Sequence, residues 1–384
     1  MIMSSIYRVD NIADKKSLLK GLGVAGGGVS IMSDKMHLEF IYLKDIKTPA
    51  LNILKQDALS IGADLAVPNG VITCEKPRYD ALLIANHKQL KLLAKKELAQ
   101  PFGLKLIAKE LNRFLLSPKF PTRIMGIINA NSDSFYSGSR FEGSNAISQI
   151  DKLISQGADI IDIGAVSSRP GSSTVSTDEE LSRVVDICDT IRDMGLVDGV
   201  EFSIDSYTPS VVEYALKSGF SIINDITGAR DERLIELAIK YNAKLCIMHM
   251  QGMPSDMQIS PNYDDVIVEV SEFFEDRIER CIELGMKREQ IILDVGIGFG
   301  KSLEHNLALL ANLSHFSSFG CEILVGASRK SMIDHIIPTD TADRLPGTLA
   351  IHLKALESGA NIIRCHDVVE HKQAITVYES IKTY

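Results

Sequence analysis

From residue 123 onward, short β-branched apolar runs alternate with amphipathic helical stretches, and no other feature of the chain restricts its fold so strongly. The runs lie at 123–129, 158–164, 201–205, 221–225, 244–250, 291–296, 322–328 and 361–367. Helical candidates fill the gaps. Residues 176–194 open with Ser-x-x-Glu, a capping-box pattern, and residues 263–285 put Ile267, Val270, Phe274, Ile278 and Ile282 on one face. Eight strands, each followed by a helix, predict an α/β fold of the (β/α)8 TIM-barrel type over residues 119–384. A doubly wound open sheet is the alternative.

Residues 1–118 read differently. A glycine-broken stretch leads into a strand-like run, then a helix (48–62), two further strand candidates and two helices, the first rich in lysine. This predicts a small α+β or α/β domain, joined to the barrel through the proline-bearing segment 116–123. The lysines read as a solvated helix face.

Composition excludes several function classes. Lys and Arg number 41 against 50 Asp and Glu, a net charge of −9 that argues against a nucleic-acid surface. No apolar run is long enough to span a bilayer, and the first residues lack the order of a secretory signal. The six cysteines form no C-x-x-C pair, so neither a zinc site nor a disulfide framework is expected from them. A reducing, cytoplasmic setting follows as the expectation.

Active sites of such barrels are built at the C-terminal ends of the strands. Those ends carry Asn129, Ser168 with Arg169, Asp205, Asn224 with Asp225, His249, Asp294, Ser328 with Lys330, and Arg364 with His366. Two chemistries can be drawn from this set. Asp205, Asn224 and Asp294 could accept paired N–H donors from a flat heterocycle. Arg169, Lys330, Arg364 and His366 could hold a phosphate-type anion, with a metal ion on Asn129. The run "GIGFGKS" (296–302) matches neither the P-loop nor the dinucleotide fingerprint. Its glycines are expected to let backbone lie close to a ligand beside Asp294, with Lys301 free of any phosphate role.

At this point the motifs resemble the dihydropteroate synthases, folate-pathway barrels that join a dihydropterin to p-aminobenzoate and are the target of sulfonamides. The similar segments include "IMGIINANSDSF" (124–135), "GADIIDIGAVSSRPGS" (157–172), "FSIDS" (202–206), "INDITG" (223–228), "LDVGIGFGKSLEHN" (293–306), "VGASRKSMI" (325–333) and "RCHD" (364–367). The resemblance implies that Asp205, Asn224, Met250, Asp294 and Lys330 bind the pterin, and that Asn129 ligates Mg²⁺. It implies diphosphate contacts from Asn129, Ser168, Arg364 and His366. Phe135, Ser168, Arg169, Pro170, Phe299 and Ser328 would line the p-aminobenzoate side. Asn129, Arg169, Lys330, Arg364 and His366 would carry catalysis, and a homodimer is the family's common assembly. Departures from the family pattern fall on loop positions: Asn131, Ser132 and Ser137 in the first loop, Val166 in the second, and Val295 after Asp294. Three rival readings remain: a non-catalytic pterin-binding paralogue, a pterin-dependent methyltransferase, and a phosphosugar barrel.

Overall fold

The apolar runs become parallel strands because each is too short for a helix and each is followed by enough chain for a covering crossover. The computed structural model describes residues 14–116, 118–129, 143–166, 175–252 and 257–382. Phe135, Ser168, Arg169 and Pro170 lie outside the described residues. The chain divides into two compact units, Met1–Ser117 with Glu379–Tyr384, and Pro118–Tyr378.

The first unit is α+β. Strands β1 (Leu38–Lys47), β2 (Asp64–Ala66) and β3 (Arg78–Asn86) form an antiparallel sheet in the order β1-β3-β2. The glycine-broken stretch before β1 carries the short helix Gly26–Ser33, which follows another at Lys15–Gly21. Leu51, Leu54, Leu83, Leu90, Leu93 and Leu104 are fully buried in this unit's own core. On the lysine-rich helix His87–Glu97, Leu90 and Leu93 face inward while Lys88, Lys91 and Lys95 are exposed, as a solvated face requires.

The second unit is a closed eight-stranded barrel, which excludes the open sheet. Its strands are β4 (Arg123–Asn129), β5 (Ile160–Gly164), β6 (Glu201–Asp205), β7 (Ile222–Asp225), β8 (Lys244–Met248), β9 (Ile291–Asp294), β10 (Glu322–Val325) and β11 (Ile362–Cys365). All eight pairings are parallel, and β11 closes the ring on β4. The helix after β5 runs Thr177–Asp193, capped by Ser176, whose hydroxyl accepts from the Glu179 backbone N–H at 3.3 Å. Helix Val266–Glu283 is capped by Asp265 and buries Val270, Phe274 and Ile278, but Ile282 is exposed, its place on the buried face taken by Cys281. No helix among the described residues is long and apolar enough to cross a membrane.

Alternation along the strands sorts the barrel interior into three layers. At the N-terminal end, Arg123 bridges Glu201 and Glu322 at 2.6 Å each, and Lys244 meets Glu322 at 2.6 Å. Above this ionic plug lies an apolar disc of Met125, Ile160, Ile222, Cys246, Ile292, Leu324 and Ile362, all fully buried. Each such side chain contributes roughly 1.5–3 kcal/mol of burial. The disc also closes the barrel to water from below. Only the third layer, at the C-terminal rim, is polar and open to a ligand.

Glu322 keeps Lys244 when Arg123 is removed and Glu201 is partly exposed, so losing Arg123 should cost less than the roughly 3–5 kcal/mol of a fully broken buried pair. Arg123→Ala should therefore lower the urea midpoint by a corresponding amount, read by chemical denaturation. Catalysis at the opposite end should survive at temperatures where the variant is folded.

Candidate active site

The rim layer is organised by one guanidinium. Arg364, from β11, donates through Nε to Asp162 Oδ2 at 2.6 Å and through Nη2 to Asp205 Oδ2 at 2.7 Å. Asn224 Nδ2 donates to the same Asp162 oxygen at 3.1 Å. The register explains the convergence: Asn129, Gly164, Asp205 and Asn224 are successive neighbours across β4 to β7, so they stand at one level of the barrel. Asp162 is fully buried, and its Oδ1 has no hydrogen-bond partner among the described residues. Sequence reasoning missed Asp162 because it sits inside a strand run rather than at its end. The available signal was an acid at an inward position of the otherwise apolar "DIIDIG".

Arg364 and Lys330 face three carboxylates here, Asp162, Asp205 and Asp294, which leaves the layer short of positive charge. Burial pushes Asp205 up to about 7; Arg364 pulls it down, while Asp162, Glu180 and Asp225 push with burial. Burial likewise raises Asp294, against the pull of Lys330, Lys301 and Arg364. For Arg364, burial opposes ionisation, but Asp162 and Asp205 outweigh it and keep the group charged. Asp225 belongs to the scaffold instead, since its carboxylate accepts from the Thr227 and Ala229 backbone N–H groups at 2.7 and 2.6 Å.

Lys330 reaches the layer from the loop after β10. Burial lowers it to about 8. Its ammonium lies 4.4 Å from the centre of the Phe299 ring and donates to the Ile297 carbonyl. Asp294, at the end of β9, accepts from the Gly296 backbone N–H at 2.7 Å. Met250 packs with Ile226, Met248 and Met257 in an apolar cluster that Tyr207 and Phe299 border. Asn129 ends β4, half-buried.

The glycines of "GIGFGKS" answer to a different constraint from the one expected. A Cβ on Gly296 (φ +67°) would stand 2.0 Å from the His249 carbonyl oxygen, and one on Gly300 (φ +60°) 2.4 Å from that of Gln251. Two backbones, not backbone and ligand, approach closely at these positions. Gly298 alone faces a site residue, Lys330. Lys301 is folded under the loop, where it donates to His249 Nδ1 at 3.0 Å and to the carbonyls of His249 and Phe299 at 3.2 and 3.0 Å. Burial lowers Lys301 to about 7 and His249 to about 3, so His249 is a neutral structural acceptor.

The loops after β10 and β11 are joined twice. Ser328 Oγ and His366 Nδ1 lie 2.9 Å apart. Arg329, held at φ 55°, makes a two-pronged pair with Asp367 at 2.9 and 2.7 Å. Beneath them His352 Nε2 accepts from the Ala327 backbone N–H at 3.0 Å, while its Nδ1 faces His371 Nε2 at 2.8 Å. Of the expected residues, direct bonds join Asp205 and Asn224 to the Arg364–Asp162 pair, and Ser328 to His366. Asp294, Lys330 and Phe299 are linked through the β9 loop.

Known proteins share this arrangement of strands and motifs. The profile of the family described as pterin binding enzyme matches residues 125–366. A bifunctional dihydropteroate synthase/dihydropteroate reductase of Helicobacter pylori is 40% identical over 361 residues, covering 93% of this chain and 94% of that protein. The dihydropteroate synthase of Escherichia coli K12 is 40% identical over 278 residues, covering 72% of this chain and 96% of its own. Among solved structures, that of Yersinia pestis dihydropteroate synthase with a sulfonamide drug complex superposes with a TM-score of 0.64. It is 38% identical and covers 69% of this chain and 95% of that one.

The raised Asp205 has a consequence for stability. Its favourable, protonated contribution is complete below about 3.8 and is lost as pH rises through about 7. Asp205→Asn mimics the protonated state. The variant should gain more in Tm over the parent at pH 8 than at pH 5, as thermal unfolding at the two values will register.

Proposed function

Because the chain belongs to the pterin-binding enzyme family, we propose that it is the dihydropteroate-forming transferase of folate biosynthesis. In this reading it joins 6-hydroxymethyl-7,8-dihydropterin diphosphate to p-aminobenzoate and releases pyrophosphate. The observation that carries the proposal is the rim layer itself. A dry floor supports carboxylates whose charge is only partly neutralised, and one of them has an unsatisfied buried oxygen. A pterin ring offers what such a pocket lacks: a flat apolar face and an edge of adjacent N–H donors.

Asp205, Asn224 and Asp294 would accept from that edge, with Lys330 donating to a ring acceptor. Met250 and Phe299 would pack against the ring faces. Arg364, whose two aspartate pairs do not use Nη1, would meet the diphosphate together with Ser328 and His366. By resemblance, Phe135, Ser168, Arg169, Pro170, Phe299 and Ser328 would hold p-aminobenzoate. Asn129 supplies one neutral oxygen, a ligand that suits Mg²⁺ when water and substrate phosphate provide the rest. Mg²⁺ bound there would offset negative charge on the diphosphate.

An arylamine is neutral at pH 7, so no strong base must act before attack. The demanding event is cleavage of the methylene C–O bond, in which the bonding electrons leave with pyrophosphate. The electron-rich dihydropterin disperses the positive charge left on carbon, so an SN1-like course is proposed. The amine nitrogen then forms the new C–N bond and gives up one proton to water. Lys330, Arg364 and His366 would stabilise the departing charge, an effect worth about 10²–10³ in rate per well-placed donor.

Pyrophosphate release by the full chain should require both the pterin diphosphate and p-aminobenzoate. Lys330→Ala should lower kcat/KM by about 10²–10³. No release under any condition would support the non-catalytic reading, and unaltered kinetics in Lys330→Ala would remove that side chain from the site.

A second activity is favoured by one observation. The 93% of this chain that aligns with the bifunctional Helicobacter pylori protein is more than Pro118–Tyr378 can supply, so the likeness extends into the first unit. We propose that the chain also reduces dihydropteroate when given an external hydride donor. Conversion to tetrahydropteroate in the presence of reduced nicotinamide or flavin tests this, and a product that stays at the dihydro level refutes it.

A further inference from the structure

We propose that His37, Glu39 and His87 of the first unit form a zinc site, independent of the barrel and its chemistry. The sequence pattern places these residues together. His37 and Glu39 are two apart at the entry to β1, so an extended backbone presents them on one face. The ladder pairs Leu38 with Asn86, which puts His37 and His87 in the adjoining position across the strands. Glu39 Oε1 lies 3.0 Å from His37 Nε2 and 2.8 Å from His87 Nε2. The two rings meet edge to face, with centroids 5.5 Å apart.

All three donor atoms fall within 4.8 Å of one another, the single histidine, cysteine and carboxylate group of this kind among the described residues. A carboxylate oxygen can accept from two imidazoles, and two rings and a carboxylate gathered this closely also supply three of the four donors zinc takes. Two imidazoles and one carboxylate are donors suited to zinc rather than to Mg²⁺ or Ca²⁺. Zinc bonds of about 2.0–2.1 Å set tetrahedral ligand separations near 3.3 Å. The two Glu39 contacts need open by only a few tenths of an ångström, and the two ring nitrogens already lie within 4.8 Å of each other.

The side chains of His37, Glu39 and His87 are 50%, 30% and 32% exposed, which leaves a fourth position facing solvent. Three protein ligands and one open position make a site that takes water or a small anion as its last ligand. Bound zinc would tie the start of β1 to the junction between β3 and the helix His87–Glu97.

The test uses the untagged full-length protein, dialysed against buffered micromolar zinc chloride, with metal content measured per chain. One zinc per wild-type chain is expected. His37→Ala and His87→Ala should each weaken it more than about 100-fold, since even groups that merely orient a metal ligand are worth about 10–100-fold. Cobalt in place of zinc should give the intense visible bands of four-coordinate Co²⁺, lost in both variants. If His87→Ala fails to fold, His37→Ala, at the more exposed ligand, still decides the matter. Absence of zinc from the wild type, or full retention in the folded variants, would overturn the proposal.

Discussion

Everything at the rim of the barrel depends on a single buried cation held between two acids. Arg364 engages Asp162 and Asp205 at once, and Asn224 is fixed through the same Asp162 oxygen. Without that guanidinium, Lys330 alone would face three carboxylates above an apolar floor, an arrangement too costly to stay fully ionised. With it, the layer is stable yet still electrostatically incomplete. That incompleteness is what makes it a receptor for a donor-rich heterocycle.

The three-layer interior separates the tasks of stability and recognition. The ionic plug and the apolar disc below seal the barrel and bear on folding alone. The loops above are then free to be specialised. They are not loosely placed: Lys301 anchors the β9 loop to His249, and the Arg329–Asp367 pair anchors the β10 loop to the β11 loop. Lys330 and Phe299 therefore reach the site from a rigid base, as precise positioning of a leaving group requires.

Much of this was legible in the sequence, because parallel strands buried on both faces leave long apolar runs and barrel chemistry collects at their C-terminal ends. Asp205, Asn224, Asp294 and Arg364 could be named for that reason. Asp162 escaped because an inward-facing acid in mid-strand carries no end-of-strand signal. The glycines at 296 and 300 were legible as a close approach, but not as an approach to the neighbouring β8 loop, since only the closed ring brings His249 and Gln251 beside them. Lys301 could be read as having no phosphate role, but its use as an internal strut follows only from the folded loop. In the first unit, the glycine-broken stretch carries the helix Gly26–Ser33 despite the poor helix propensity of glycine.

The most direct test is a calorimetric titration of the full chain with 6-hydroxymethylpterin, which lacks the diphosphate, in the parent and in Asp294→Asn. Hydrogen bonds to a charged acceptor are worth about 1.5–3 kcal/mol, so the substitution should weaken binding roughly 10- to 100-fold. Equal affinity in the two proteins would mean that the ring does not sit in the acidic rim layer, and the receptor role assigned to that layer would fall.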